Sequence, residues 1–169
     1  MSQFSADKYK IVPVAKAIDL SSTVYTDNLY CKDLVGKVTF CFILNTLGGA
    51  SSVFTVLGAI ADATYTSAVR FNYAFGGAAM GTATAGSATS CDVLAAWTSA
   101  STLTLTHGTY SNFMLVVEVD LADMDSSLDH DWLACKFLTT TSVTGTVSGF
   151  AIGTYRYPGQ GSATVLATA

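Results

Sequence analysis

The centre of the chain alternates between apolar and polar positions and carries no charge. Residues 38–61 form an uncharged run of 24 positions between Lys37 and Asp62. One side of an extended strand there would carry Val38, Phe40, Phe42 and Leu44, and the other Thr39, Cys41, Ile43 and Asn45. The pattern breaks at Gly48-Gly49 and resumes at Val53. This period of two predicts two strands, and we expect a hairpin closed by the Gly-Gly loop.

The same alternation predicts strands along most of the remaining chain. We expect them at residues 10–18, 23–30, 69–75, 101–106, 112–120, 132–139 and 146–157. In the best of these, Phe113, Leu115, Val117 and Val119 should point inward, and Glu118 and Asp120 outward. Pro13 places the first strand at a sheet edge, where its missing N–H is not needed.

The segments between the predicted strands are of several kinds. Residues 33–36 indicate a turn, and residues 92–97 a short helix or turn with Asp92 as its N-cap. Residues 78–90 are almost all Ala, Gly, Thr and Ser, which is typical of a long loop or a weak strand. The pattern as a whole predicts an all-β protein, a single-domain β-sandwich that is jelly-roll-like, with long Gly/Ala/Thr-rich loops.

The chain is expected to hold one domain with an extension at each end. Its 169 residues suffice for one core, and we place the β-sandwich domain at residues 10–157. Residues 1–9 are predicted to be a flexible N-terminal arm and residues 158–169 a flexible C-terminal tail. The polar start predicts no signal peptide, and the period-two pattern of residues 38–61 argues against a transmembrane helix.

Charge is scarce, and the basic residues form no cluster. Only 12% of the residues are charged, against about 25% in typical soluble domains. Two interpretations stay open: a surface largely covered by neighbouring proteins, or exposed strands that use Thr and Ser for their β propensity. The net charge is −4 and the eight Lys and Arg residues are scattered. Because nucleic-acid binding needs a concentrated basic face, we expect no nucleic acid as a direct partner.

Residues 120–131 form the densest polar cluster, with five aspartates and His130. Asp123, Asp125 and Asp129 are candidate ligands for a calcium ion, which prefers carboxylate oxygens. The spacing does not match an EF-hand loop, because Ser127 and not an acid stands at its fifth position and no Glu closes it. We therefore favour a solvated connection between strands, and expect no metal or other cofactor.

The sequence holds no recognisable catalytic pattern. Its two histidines, His107 and His130, lie in no nucleophile-elbow or H-E-x-x-H motif, and no Gly-rich run matches a phosphate-binding loop. A hydrolase would need one of these histidines beside Ser, Cys or Asp in a pocket. We expect a protein that is not an enzyme, with no catalytic residues.

Two further residue types allow alternative interpretations. The cysteines, at 31, 41, 91 and 135, lack metal-ligand spacing, and we expect Cys41 and Cys135 to be small apolar side chains in the core. Aromatic residues at alternating strand positions could form a sugar-binding platform, but such positions more often belong to a core or interface. They are Phe71, Tyr73, Phe75, Trp132, Phe150, Tyr155 and Tyr157.

Several segments between residues 10 and 160 share sequence patterns with a known group of proteins. They are Tyr110 to Asp120, Trp132 to Leu138, the ending Tyr155-Arg156-Tyr157-Pro158-Gly159, the early Ile11-Val12-Pro13, and the Phe-x-Tyr strand at 68–73. Together they resemble small structural proteins of tailed-bacteriophage virions, most closely capsid decoration (cement) proteins. The resemblance implies a β-sandwich that decorates and stabilises the outside of the capsid, with the major capsid protein as its partner.

The resemblance also implies a location and an assembly. We expect synthesis in the host cytoplasm, a final place on the virion exterior, a homo-oligomer (a trimer or dimer), and no membrane partner. A tail or neck component of the virion would have the same composition and remains an alternative. A carbohydrate-binding β-sandwich module is the third possibility.

Overall fold

A computed structural model describes residues 8–62, 64–80, 93–124, 130–139 and 143–157. These residues are almost entirely extended. The strands are β1 (Tyr9–Asp19), β2 (Val24–Tyr25), β3 (Leu29–Tyr30), β4 (Leu34–Leu44), β5 (Ser51–Ala61), β6 (Thr64–Val69), β7 (Phe71–Phe75), β8 (Thr98–Ala100), β9 (Leu103–Thr106), β10 (Met114–Asp120), β11 (Trp132–Thr139) and β12 (Thr146–Tyr155). A single helical turn, α1 (His107–Tyr110), and a 3₁₀ turn (Leu121–Asp123) complete the described elements.

The strands form two antiparallel sheets packed face to face. Sheet A has the order β1-β12-β4-β10-β7-β8. Sheet B has the order β2-β11-β5-β6, with β3 also paired to β11 and β9 also paired to β5. The all-β sandwich predicted from the alternation is therefore confirmed, while the jelly-roll layout stays a prediction.

Alternate residues of each strand point into the space between the sheets. Val38, Phe40, Phe42 and Leu44 of β4 are fully buried, as are Leu115, Val117 and Val119 of β10. Leu133, Cys135 and Phe137 of β11 do the same from sheet B. The inward faces of these strands were correctly predicted because the side-chain period of a strand is two.

Aromatic rings join the two sheets at the centre of the core. The ring of Phe54 in β5 lies 5.1 Å from that of Phe137 in the same sheet. Across the interface it lies 5.7 Å from Phe42 and 5.4 Å from Phe71, both in edge-to-face geometry. Such pairs contribute about 0.5–1.5 kcal/mol beyond the area that they bury. Phe54 is thus a junction between sheets A and B.

The hairpin predicted at residues 38–61 is wrong. β4 belongs to sheet A and β5 to sheet B, so the Gly48-Gly49 segment crosses from one sheet to the other. Gly48 forms an isolated bridge with Thr144 on the way. Alternation reveals which side of each strand faces the core, but both strands of a crossing face the same core. It therefore does not distinguish a hairpin from a crossing.

The strand predicted at residues 69–75 is divided for the same reason. Val69 ends β6 in sheet B and Phe71 begins β7 in sheet A, with Arg70 between them. Val69, Phe71 and Phe75 are buried, so the inward side was predicted correctly. The alternation continues across Arg70 because both sheets turn their apolar side toward one core.

Several other strand and turn boundaries in the structure differ from those predicted from the sequence. Residues 23–30 form two short strands, β2 and β3, that pair with different parts of β11. The turn predicted at 33–36 is wrong, because Leu34 already begins β4 and Gly36, at φ +76°, lies where the pairing of β4 with β12 shifts register. Residues 93–97 are not helical; Leu94 forms a bridge with Gly76 instead.

Further sequence predictions concern the edge of sheet A and the two ends of the chain. β1 is an edge strand of sheet A, as Pro13 predicted. The predicted arm and tail lie almost wholly outside the described residues, as do residues 81–92 of the long Ala/Gly/Thr segment. No helix among the described residues is long and apolar enough to cross a membrane.

We predict that Phe54→Ala lowers the free energy of unfolding by about 3–5 kcal/mol, because it leaves a cavity at the junction of the two sheets. Phe150→Ala is the matched control. Its ring lies on the outer side of sheet A and is 40% exposed, so its loss should cost less than about 1 kcal/mol. Urea unfolding of both variants measures the difference. Equal losses would contradict the assignment of Phe54 as the junction.

Candidate binding surfaces

The acidic cluster is only partly described. Asp120 precedes the 3₁₀ turn, and its Oδ1 accepts a hydrogen bond from the backbone N–H of Ala122 at 3.0 Å. Asp123 is exposed in that turn. The other two calcium candidates, Asp125 and Asp129, lie outside the described residues. Within the described ranges no three His, Cys, Asp or Glu side chains come together as metal ligands.

His107 forms a buried pair with Ser52 that the sequence did not reveal. Its Nδ1 lies 2.8 Å from the carbonyl oxygen of Gly48. A carbonyl only accepts, so Nδ1–H is the donor in this hydrogen bond, and Nε2 is hydrogen-bonded to the Ser52 hydroxyl at 3.0 Å. The ring thereby ties the start of α1 to β5 and to the crossing segment.

Ser52 and His107 have the geometry of a catalytic nucleophile and its base, but a substrate cannot reach them. Both Ser52 and His107 have no exposed surface, whereas a nucleophile must reach a substrate. A backbone carbonyl, and not a carboxylate, orients the imidazole. The arrangement satisfies buried polar groups and anchors the loop between β4 and β5.

His130 lies elsewhere, at the end of the acidic connection. It packs against β5 at Gly58, where an added Cβ would come within 2.6 Å of the His130 Nδ1. A pocket of about 180 Å³ beside it is lined by Cys31, Lys32, Leu34, Leu121, Met124, Asp131 and Arg156. Gly58 is thus needed for the imidazole to sit against the sheet. The two histidines are on different parts of the sandwich.

The three described cysteines divide between the core and the outer side of sheet A, while Cys91 lies outside the described residues. Cys135 is fully buried as predicted, and Cys31 is also buried. Burial raises the pKa of the Cys31 thiol to about 12 and that of Cys135 well above its ordinary value. Both are therefore neutral, weakly nucleophilic thiols near neutral pH. The core position predicted for Cys41 is wrong: it is half-buried on the outer side of β4, one residue out of step with Phe40 and Phe42.

An apolar patch covers the outer side of β1, β12 and β4. Its residues are Ile11, Pro13, Cys41, Ile43, Phe150 and Ile152. Pro13 pairs with Phe150, which pairs with Cys41, so these three form one row across the strands. Ile11 and Ile152 form the next row. Exposed fractions of 49% at Ile11, 40% at Phe150 and 39% at Ile43 make this an apolar surface open to solvent.

A polar groove follows on the same side of sheet A, toward its β8 edge. We define it by Lys37, Arg70, Asn72, Trp97, Ser99 and Glu118. Two adjoining pockets share Asn72 and Glu118. The larger, of about 420 Å³, is open to solvent and is also lined by Lys37 and Trp97. The smaller, of about 200 Å³, extends past Arg70 and Ser99 to Asp120 and Asp123. The Lys37 Nζ lies 3.0 Å from the Glu118 Oε2.

The strand pairing explains how the groove is assembled. Glu118 of β10 is opposite Asn72 of β7, and Asn72 is opposite Ser99 of β8. These residues alternate with buried ones, so they all point outward. Trp97 immediately precedes β8 and is 45% exposed. Sequence analysis missed this site because its residues come from four separate segments and Trp97 lies outside any periodic pattern.

The sugar-binding platform, the alternative to a core or interface role for the seven aromatic residues, is not assembled. Phe71 and Phe75 are buried in the core, and Tyr73 and Tyr155 pack against it. Phe150 belongs to the apolar patch, and Trp132 lies on sheet B, tilted against Tyr30 at 4.9 Å. Tyr157 is 62% exposed near the end of the described chain. The core assignment is therefore correct for Phe71 and Phe75, and the set as a whole forms no common surface.

The outer side of sheet B has its own aromatic pair. The rings of Tyr25 and Tyr65 are stacked, with centroids 4.6 Å apart and planes within 1° of parallel. The Tyr65 hydroxyl donates to the Asn28 Oδ1 at 3.0 Å, and the Lys136 Nζ lies 5.6 Å from the Tyr25 centroid. These side chains contact one another on the outer side of sheet B, where Leu138 is also exposed, and Ile60 of β5 in the same sheet is exposed as well.

Comparisons of the chain with protein-family models, curated proteins and solved structures find no match.

We predict that Ser52→Ala lowers the free energy of unfolding by about 1–3 kcal/mol, because it leaves the buried His107 Nε2 without its hydroxyl partner. Ser99→Ala is the control: Ser99 accepts a hydrogen bond from the Arg70 Nε at 3.0 Å but is exposed, and its loss should cost about 0.5 kcal/mol or less. Urea unfolding measures both. A serine-directed fluorophosphonate probe should leave Ser52 unlabelled; labelling there would contradict the buried, structural role.

Proposed function

We propose that this chain is a non-enzymatic virion structural protein that decorates and stabilises the outside of a tailed-phage capsid. The major capsid protein is the proposed partner, and the apolar patch on sheet A is the proposed contact. The observation that carries the proposal is the open exposure of Ile11, Ile43 and Phe150 on one sheet face. It adds to the sequence resemblance to decoration proteins.

The patch has the character of a contact surface because its apolar side chains are contiguous. Single exposed apolar residues are ordinary, whereas a continuous exposed patch typically marks an interaction site. Removing such surface from water is favourable by roughly 25 cal/mol per Å². The paired rows across β1, β12 and β4 present this surface on strands that the core already fixes. Little conformational entropy is then lost on docking.

The edge of sheet A favours docking through the face over docking by strand addition. β1 is the edge strand, and Pro13 interrupts its hydrogen-bonding capacity. Its pairing with β12 shifts register between Pro13 and Ala15 and again between Ala15 and Ile18. Proline and bulges are devices that prevent another strand from pairing with an edge. The face of the sheet is left as the binding surface.

Charge and composition are compatible with a place on the outside of a shell. With a net charge of −4 and eight scattered basic residues, the chain has no concentrated basic face. A decoration protein binds in many copies, so weak individual contacts add through avidity. We propose a dimer or trimer on symmetric shell positions, made in the host cytoplasm.

The jelly-roll layout is part of the proposal, and the order of crossings supports it. The chain changes sheets between β1 and β2, β3 and β4, β4 and β5, β6 and β7, β8 and β9, β9 and β10, β10 and β11, and β11 and β12. Repeated crossings of this kind are expected when two Greek keys fold over each other. Jelly rolls occur in viral capsid and in lectin domains, so the fold is compatible with a virion role and does not by itself select it.

We predict that Ile43→Asp and Phe150→Asp each weaken docking to capsids by about tenfold or more. Burying an unpaired carboxylate at the contact costs more than the 1.4 kcal/mol that a tenfold change in affinity represents. The measurement is co-sedimentation with capsids of the phage that encodes this chain, assembled without it. Leu138→Asp is the matched control, since Leu138 is 38% exposed on sheet B.

The control variant is expected to dock like the unmodified chain. Failure of the unmodified chain to sediment with capsids would overturn the proposal, and its sedimentation with isolated tails instead would assign it to the tail or neck. A loss with Leu138→Asp as large as with Ile43→Asp would exclude the apolar patch as the contact.

A further inference from the structure

Trp97 presents an indole ring to solvent at the polar groove. It is 45% exposed, and no aromatic ring in the described ranges stacks against it. The open pocket that it lines, at about 420 Å³, falls within the range of roughly 300–1,000 Å³ typical of small-molecule sites. A large exposed indole beside such a pocket offers a flat apolar surface for a ligand with a flat apolar side.

The walls of the groove supply hydrogen-bonding groups of both kinds. Asn72 has an amide oxygen that accepts and an NH₂ group that donates. Glu118 offers carboxylate oxygens, and Lys37 offers N–H donors around its 3.0 Å ion pair with Glu118. Asn72 and Glu118 line both pockets. Several hydroxyl groups on one ligand would find an acceptor or a donor here.

The charges exclude strongly ionic ligands. Lys37 is opposed by Glu118, and Arg70 shares the smaller pocket with Asp120 and Asp123. A phosphate or sulfate ligand would meet three carboxylates, and an organic cation would meet two basic side chains. A neutral ligand rich in hydroxyl groups meets neither penalty, because it donates to the carboxylates and accepts from Lys37 and Asn72.

We propose that the polar groove binds a neutral hexopyranose unit of a glycan. The C–H side of the pyranose ring stacks on Trp97, and its hydroxyl groups bond to Asn72, Glu118 and Lys37. A pyranose has the required combination of one apolar ring side and a rim of hydroxyls, which matches an indole next to an amide and an ion pair.

This site adjoins the proposed capsid contact on β4, which carries Lys37, and extends away from it toward Trp97 at the β8 edge. β12, at the centre of the apolar patch, and β7, within the groove, are three strands apart in sheet A. At a strand spacing of about 4.8 Å this is on the order of 14 Å. A partner seated on β1, β12 and β4 leaves the β7–β8 edge at its rim. The inference therefore goes beyond the proposed function and does not depend on it.

The test is binding of neutral oligosaccharides to the full chain. Maltohexaose, cellohexaose, mannohexaose and galactohexaose are titrated by calorimetry and by tryptophan fluorescence. We expect one or more of them to bind and to change the fluorescence of Trp97. Absence of binding by all four would overturn the proposal.

Variants locate the site. Trp97→Ala should weaken binding by about tenfold or more through loss of the stacked ring, and Asn72→Ala should weaken it as well. Tyr157→Ala, which removes an aromatic ring that is 62% exposed elsewhere, should bind like the unmodified chain. Thermal unfolding confirms that each variant is folded. Undiminished oligosaccharide binding by Trp97→Ala would overturn the assignment of the glycan site to the polar groove. The same variant should still dock to capsids if the decoration proposal is correct, so the two proposals can fail independently.

Discussion

The contact between the two sheets through Phe54 is the interaction on which the rest of the molecule depends. Its ring meets Phe42 and Phe71 of sheet A and Phe137 of its own sheet at centroid distances of 5.1–5.7 Å. Because packed aromatic cores tolerate little change in volume, this cluster fixes the spacing of the sheets. It also fixes which side of every strand faces inward, and therefore what each sheet presents outward.

The outward sides are the source of any function that the sandwich has. On sheet A, the strands β1, β12 and β4 place apolar residues there, and β10, β7 and β8 place polar ones beside Trp97. On sheet B, Tyr25 and Tyr65 stack on each other. The buried pair of Ser52 and His107 contributes indirectly, since it holds the crossing segment between β4 and β5 in place. The functional proposals rest on this difference between the faces.

The alternation of apolar and polar residues and the position of Pro13 predicted the features that depend on neighbouring residues alone. The inward side of β4, with Phe40 and Phe42, followed from alternation, and the edge position of β1 followed from Pro13. Sheet membership did not, because β5 is held in sheet B by β11, whose Phe137 is opposite Phe54 and far away in the chain. The misplacement of Cys41 came from weighing its residue type above the alternation that faces it outward.

The candidate sites were harder to predict than the strands, for the same reason. Ser52 and His107 are 55 positions apart and meet only after β9 pairs with β5. Trp97 acquires Asn72 and Glu118 as neighbours only after β8, β7 and β10 line up in sheet A. Trp97 was not among the seven aromatic residues considered for a sugar-binding platform, because only the tertiary arrangement places it beside the groove.

The measurement that tests the proposed decoration role most directly is the copy number of this chain in purified virions of the tailed phage that is proposed to encode it. Quantitative mass spectrometry against the major capsid protein gives that number. The account predicts a ratio of the same order as the capsid protein, because a decoration protein occupies symmetric positions over the whole shell. A few copies per particle would instead indicate a neck or tail component. Absence from the particle would contradict the virion assignment altogether.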